Sequence, residues 1–408
     1  MKRWIAGLAC VCLLAGCGRP ERGPAGTVTQ EEPSHAEAVR IAHETIILDG
    51  HIDLPYRLYS NMEDVSVETE SGNFDYVRAR KGGLDAAFMS IFTPPRTEED
   101  GTSKAVADTL IDLVEALAAA SPDKFAVATS PDEVQENFDA GLISLCLGME
   151  NGSPIEGDLD NLRHFFDRGV RYITLAHGKD NHICDSSYDT TRTWQGLSEF
   201  GREVVREMNS LGIMIDVSHV TDDAFHQIVD LTTAPVIASH SSCRYFTPGF
   251  ERNMSDDLIV RLAENGGVIQ INFGSTFLSG EANDWWTKYD NDRDAYFEQH
   301  GVESGSDEAK QYRERYYEEK PFPYADVSDV ADHIDHVVSL AGIDHVGLGS
   351  DFDGLGDSIA DGLKDVSMYP NLIQELLARG YTEDDVGKIA YQNVFRVWRE
   401  VERVARGN

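Results

Sequence analysis

The segment Ile46-Ile-Leu-Asp-Gly-His51-Ile-Asp53-Leu-Pro55 joins a short apolar run directly to a His-x-Asp triplet. The run Ile46 to Leu48 has the length and composition of a buried strand. Side chains two apart on a strand share a side, so His51 and Asp53 would aim an imidazole and a carboxylate at one point past the strand end. Nitrogen and oxygen grip a metal in that way. One such triplet is weak, because chance supplies many. Its weight depends on how the other strands end.

Seven further apolar runs follow, opening at Leu84, Leu142, Tyr172, Ile213, Pro235, Val268 and His345, each with helical sequence nearby. They are short and do not alternate, as expected of parallel strands covered on both faces. Helices are expected at 36–45, 104–120, 159–168, 198–211, 221–230, 256–265 and 326–341. The economical reading is an α/β fold, a (β/α)8 TIM-type barrel. An open doubly wound sheet is the alternative. No Gly-rich loop follows any strand, which counts against a nucleotide-binding version of it. Residues 275–325 form a long insertion after the seventh strand, with Trp285-Trp286, mixed charges and Pro321-Phe322-Pro323. It reads as a lid, a subunit contact or a solvated decoration. Glu383 to Arg406 reads as a C-terminal helix packed outside the barrel.

Five strands end in metal-capable groups, namely His51 with Asp53, Glu150, His177, His219 and His240, and a sixth ends in Asp351. A lone histidine at a strand end is more often a hydrogen-bonded core residue. In a barrel all parallel strands end on one face, so this set would converge. One open zinc site takes about three protein ligands, and these are too many for it. They suit two metals, with Glu150 the natural bridge between the His51/Asp53 and His219/His240 groups. Two ions roughly 3.5–4 Å apart would share a hydroxide acidic enough to attack at neutral pH. Ligation by nitrogen and oxygen alone suits two zinc ions per chain, with manganese or cobalt as workable substitutes. Three other histidines read as decoys. His333-Ile-Asp335 lies mid-helix, where residues two apart diverge. His182 sits in a loop, and His345 opens a strand rather than ending one.

The chain has 408 residues, 35 Lys and Arg against 71 Asp and Glu, and a net charge of −36. So acidic a surface repels nucleic acid and anionic lipid. Residues 1–17 read as a targeting segment, with Lys2 and Arg3 ahead of an apolar stretch from Trp4 to Leu14 that is short for a membrane span. Leu14-Ala15-Gly16-Cys17 resembles a bacterial lipobox, in which Cys17 is lipid-modified and becomes the mature N-terminus; an ordinary secretory signal is the alternative. Gly18 after the cysteine suggests, by the same resemblance, the periplasmic face of the outer membrane. Losing Lys2 and Arg3 takes the net charge to −38. Residues 18–35 read as a flexible tether, and 36–408 as a single barrel domain. Cys146, Cys184 and Cys243 remain, an odd count that argues against a disulfide framework and leaves one pair open.

Several motifs together resemble the membrane (renal) dipeptidase family of amidohydrolase-like barrel hydrolases. They are Asp49-Gly-His-Ile-Asp-Leu-Pro55, Gly148-Met-Glu150, Leu175-Ala-His177, Ile215-Asp-Val-Ser-His219, Ser239-His-Ser-Ser242, Arg252-Asn253 and Gly349-Ser-Asp-Phe-Asp-Gly354, in the family's order. The resemblance implies a binuclear zinc dipeptidase, with His51, Asp53 and Glu150 on one ion and Glu150, His219 and His240 on the other. It makes Arg252 the partner of the substrate's free α-carboxylate and His177 a donor to the scissile carbonyl oxygen. Asp351, nearer its strand end than Asp353, would carry the proton from water to the leaving amine. Gly354 would let substrate approach the backbone. The expected activity is hydrolysis of small free dipeptides, with a D-residue tolerated at the C-terminal position as in the family. Vertebrate members are disulfide-linked dimers with a C-terminal glycolipid anchor. Here the anchor is expected at the N-terminus, and a homodimer stays among the expected partners. Two other readings stay open: a related barrel metallohydrolase acting on N-acyl amino acids or lactones, and a non-catalytic metal- or peptide-binding envelope lipoprotein. A missing proton-transfer group would favour the latter, and Asp351 is present.

Overall fold

The computed structural model describes residues 33–407. The targeting segment with Cys17, and the tether up to residue 32, lie outside the described residues. Ser34 accepts from the backbone N–H of Glu37 and caps the first helix, His35–Glu44.

Nine strands follow: β1 Ile47–Ile52, β2 Leu84–Phe92, β3 Phe125–Val127, β4 Ile143–Glu150, β5 Val170–Thr174, β6 Met214–Asp216, β7 Ile237–Ser241, β8 Val268–Ile271 and β9 Val346–Leu348. All eight strands expected from the sequence form, and they stand side by side in chain order with every pairing parallel. β3 pairs with the first part of β4, on the edge that β5 takes further along. A single bridge, Ile52 to Phe352, brings the last strand back to the first. The Asp53 N–H donates to the Phe352 carbonyl at 2.8 Å, and the Asp351 N–H to the His51 carbonyl at 3.1 Å. The result is a nearly closed eight-stranded (β/α)8 barrel.

The strands show no polar alternation because both of their faces are buried. Period two still sorts them. Leu48, Ala86, Phe88, Cys146, Tyr172, Met214, Ile237 and Val268 fill the barrel interior. Ile47, Ala87, Met89, Leu145, Leu147, Ile173, Ile215 and Ile269 pack against the surrounding helices.

The C-terminal segment departs from expectation. It is three pieces, a helix at Glu383–Gly387, a π-helical turn at Lys388–Gln392 and a helix at Asn393–Gly407. It does not simply lie outside. Val394, Phe395, Val397, Trp398 and Val401 belong to the same buried cluster as the barrel interior, and Trp398 meets Phe88 at 5.1 Å between ring centroids. Those residues recur at helical spacing on one face, and that face plugs the end of the barrel opposite the strand termini. Trp398→Ala is expected to cost about 3–5 kcal/mol of stability, read by denaturant unfolding; a loss below about 1 kcal/mol would mean the plug carries little.

The insertion folds as a helical hairpin, Gly280–His300 and Asp307–Glu319. Trp285 stacks on Tyr289 at 5.5 Å and meets Tyr316, Tyr317 and Phe322 edge-on, so the two helices are joined by rings. The short helix before it, Ser275–Leu278, reaches the strand-end face through Phe277.

Candidate metal centre

Each candidate ligand comes off a strand terminus. His51 lies within β1. Asp53 is not an extended residue two places on, as the triplet suggested; it is the N-cap of the helix Leu54–Ser60, with φ −84° and ψ 23°. The chain turns there, and its carboxylate still reaches 3.4 Å from His51 Nε2. Asp49 holds two strand ends in place. Its Oδ1 accepts the N–H of His51 at 2.9 Å and of Ser350 at 3.0 Å, and its Oδ2 accepts the Tyr369 hydroxyl.

Glu150, the last residue of β4, is the focus. Its Oε1 lies 3.1 Å from His219 Nε2, 3.3 Å from His240 Nε2 and 3.6 Å from His177 Nε2. Its Oε2 lies 3.5 Å from His51 Nε2 and accepts the Ser90 hydroxyl at 3.2 Å. Burial alone would push this carboxyl up, but the surrounding imidazoles, His51 and His177 foremost, hold it well below the usual carboxylate range. Burial, with Arg252 and a neighbouring imidazole, keeps His219 and His240 neutral.

The tautomers follow from the outer hydrogen bonds. Ser239 Oγ donates to Asp216 Oδ2 at 2.6 Å, so it accepts from His240 Nδ1 at 2.7 Å and leaves a lone pair on His240 Nε2. On the other side, the Tyr172 hydroxyl lies 3.2 Å from the Gly50 carbonyl and 2.7 Å from His51 Nδ1. Donating to the carbonyl, it accepts from Nδ1; burial pushes His51 down, but Tyr172, Glu150 and Asp53 raise it well above the usual imidazole range, so that a cation would take the place of the proton on Nε2. That nitrogen is buried and has no hydrogen-bond partner. Gly148 makes room for the ring, since a Cβ there would lie 2.1 Å from Tyr172 Cζ. An orphaned buried imidazole nitrogen, two neutral imidazoles meeting Nε2 to Nε2 at 3.0 Å, and a deprotonated carboxylate between them fit divalent cations. Three ligand groups lie within coordinating reach: His51, Glu150 and His240; Glu150, His177 and His219; His51, Asp53 and Asp351. Tyr172→Phe is expected to weaken metal affinity about 10–100-fold, measured by competition with a chromogenic chelator; unchanged affinity would refute the tautomer argument.

Around this centre stand the groups expected to meet substrate. His177 is the most open of the four imidazoles, with a quarter of its side chain exposed, and Phe92 packs edge-on against it at 4.7 Å. Arg252 is buried. Its Nη1 donates to Ser241 Oγ at 2.7 Å, its Nη2 to the His240 carbonyl at 2.8 Å, and its Nε has no partner. Asp351 is raised well above the usual carboxylate range, by burial first and by Asp53 second. Asn272 Nδ2 donates to its Oδ2 at 2.7 Å while Asn272 Oδ1 accepts from the Gly274 N–H at 2.7 Å. His219 and Asp351 both sit at positive φ, 68° and 64°, backbone strain of about 1–3 kcal/mol each that the surrounding bonds must hold. Gly354 is needed for a close approach, but by carboxylates: a Cβ there would lie 2.3 Å from Asp53 Oδ2 and 2.5 Å from Asp351 Oδ1.

The remaining candidates are placed elsewhere. Asp353 is tied to Arg57 at 2.8 Å and to the Asn73 backbone. His333 accepts from the Cys243 N–H and faces the Leu278 carbonyl, while Asp335 bonds Arg379 and Tyr381. His182 bonds Glu98, and His345 bonds the Gly267 carbonyl at the opposite end of the barrel. Cys146, Cys184 and Cys243 are separate buried thiols. Tyr172, Asp216, Ser239 and Asn272 were not singled out as site residues from the sequence; Asp216 and Ser239 lie inside the motifs Ile215–His219 and Ser239–Ser242, whereas no local pattern marks Tyr172 or Asn272.

Comparison with known proteins identifies the family. Residues 35–408 match the family described as membrane dipeptidase, peptidase family M19. An uncharacterized dipeptidase of Schizosaccharomyces pombe is 35% identical over 375 residues, covering 87% of this chain and 81% of its own. The probable dipeptidase PvdM from Pseudomonas aeruginosa superposes with a TM-score of 0.79 at 27% identity, covering 91% of this chain and 99% of that one. A metallopeptidase from Rhodobacter sphaeroides, solved with a phosphinate mimic of the dipeptide L-Ala-D-Ala, superposes at 0.72 with 25% identity, covering 88% and 99%. The chain thus belongs to the membrane dipeptidase family, peptidase family M19, and is a metallodipeptidase.

Proposed function

We propose that this metallodipeptidase works with two zinc ions and hydrolyses free dipeptides, including those with a D-residue at the C-terminal position. The observation that carries the reading is Glu150, a buried carboxylate with four imidazole Nε2 atoms 3.1–3.6 Å from its oxygens. The Rhodobacter sphaeroides relative, bound to its L-Ala-D-Ala mimic, supports the D-residue. His51, Asp53 and Glu150 would hold one ion, and Glu150, His219 and His240 the other. Bound there, the pair supplies Lewis-acid polarisation of the scissile carbonyl and acidifies water.

The protein's own groups do the rest. Arg252, with two donors already anchored to β7, presents its remaining N–H groups to the free α-carboxylate. His177, at the mouth, donates to the carbonyl oxygen as charge develops on it. Asp351 takes a proton from the attacking water and gives it to the leaving amine. Because Asn272 occupies Oδ2, the proton rides on Oδ1, the oxygen facing Gly354.

The test is a panel of L,L and L,D dipeptides with added zinc and with a chelator. Zinc-dependent cleavage of free dipeptides, but not of N-blocked or longer peptides, is expected. Silence across the panel with metal bound, or faster turnover of lactones or N-acyl amino acids, would overturn the reading. The leader residues motivate a second proposal, that Cys17 carries lipid and tethers the enzyme to the periplasmic face of the outer membrane. Cys17→Ser should then move the protein from the detergent phase to the aqueous phase on partition; no shift would refute the anchor.

A further inference from the structure

Between β5 and the helix Glu199–Leu211 the chain makes a long excursion over the strand-end face. It is firmly held. Asp185 accepts the N–H groups of Trp194 and Gly196, each at 2.8 Å. The Ser187 N–H donates to the His219 carbonyl at 2.7 Å, and Ser186 Oγ donates to the His177 carbonyl while accepting the Tyr188 N–H at 3.2 Å. Arg192 pairs with Glu251, the neighbour of Arg252 in sequence, and so clamps this excursion to the arginine's own loop. Tyr188 is thereby fixed through the backbone carbonyls of His177 and His219.

The residue is 45% exposed. The ring stands 5.8 Å from His219 and 6.1 Å from Phe250. Phe250 meets Phe277 at 5.6 Å, and Phe277 lies under the Arg252 guanidinium at 5.2 Å. Tyr188, Phe250 and Phe277 form an aromatic wall that begins at a metal-centre imidazole and ends at the carboxylate-binding arginine. Only Tyr188 in that wall presents a large open surface.

We infer that Tyr188 is a specificity-determining residue, whose ring packs against the side chain of the dipeptide's C-terminal residue. The inference rests on the dipeptide reading above, because Arg252 fixes which end of the substrate lies beside this wall. A rigid flat ring at the mouth rewards an apolar or aromatic side chain and gives nothing to glycine. The preferred substrates are therefore dipeptides with a large apolar C-terminal residue.

The experiment compares kcat/KM for alanyl-glycine, alanyl-alanine, alanyl-leucine and alanyl-phenylalanine in the zinc-loaded wild type, Tyr188→Phe and Tyr188→Ala. Tyr188→Ala should lower the phenylalanine-to-glycine ratio about three- to tenfold. Tyr188→Phe, which keeps the ring, should hold that ratio within about twofold of wild type. Melting temperature and metal content check the fold, and Tyr188→Leu replaces the alanine variant if that one does not fold. An equal change across the four substrates, no change, or a gain for the bulky residues overturns the inference. Failure of the wild type to cleave any of the four would instead overturn the dipeptide reading itself.

Discussion

Asp351→Asn is expected to fold and retain its metal while losing about 10²–10⁴-fold in kcat. The amide has nearly the shape of the carboxyl but cannot shuttle a proton. Asn272 donates to one oxygen of Asp351, so the other must do the chemistry. Burial and the nearby Asp53 carboxylate raise Asp351 above the usual carboxylate range, so that it is a stronger base toward the water and keeps the proton it has taken until the amine leaves. Asp351 also lies within coordinating reach of His51 and Asp53. Metal content must therefore be measured alongside rate. Lost rate at full metal occupancy places Asp351 in proton transfer. Lost rate together with lost metal makes it a ligand, and a kcat within about tenfold of wild type removes it from the chemistry.

The second large effect is expected at Arg252. Arg252→Lys keeps the charge but not the planar fork, and two of the fork's donors already hold Ser241 and the His240 carbonyl. A lysine cannot both make those bonds and meet a carboxylate. The loss in kcat/KM on free dipeptides is expected at about 10²–10³-fold, mostly through KM. The decisive control is the C-terminal amide of the same dipeptide. Wild type should discriminate strongly against the amide, and Arg252→Lys should lose that discrimination. If wild type and variant treat acid and amide alike, Arg252 serves β7 alone.

How far the chain could be read without its structure follows from what is local. The eight strands were legible because each is a short apolar run bounded by helical sequence. The candidate ligands were legible because each run stops at, or within a few residues of, a histidine or acid, and parallel strands must bring their ends to one face. His51, Asp53, Glu150, His177, His219, His240 and Asp351 needed no tertiary information beyond that rule. Even so, the reason for Asp53 was wrong in detail, since a helix N-cap rather than strand alternation turns its carboxylate toward His51.

Contacts between residues far apart in sequence were beyond reach. Tyr172 meets His51 across 121 positions, and Asn272 meets Asp351 across 79. Nothing within either segment announces the other. The tail shows the same divide. Its apolar spacing says that Trp398 is buried, but only the barrel's open lower end says against what. Tyr188 reads in sequence as one more tyrosine in a polar loop, and it matters only because bonds to His177, His219 and Glu251 hold that loop over the centre. Local pattern thus determined the strands and the candidate ligands, because hydrophobic periodicity and strand-end chemistry are written in consecutive residues. The tertiary structure alone decided the outer hydrogen bonds of the imidazoles, the anchoring of Arg252 and the aromatic wall, because those depend on distances between side chains that only the closed barrel sets.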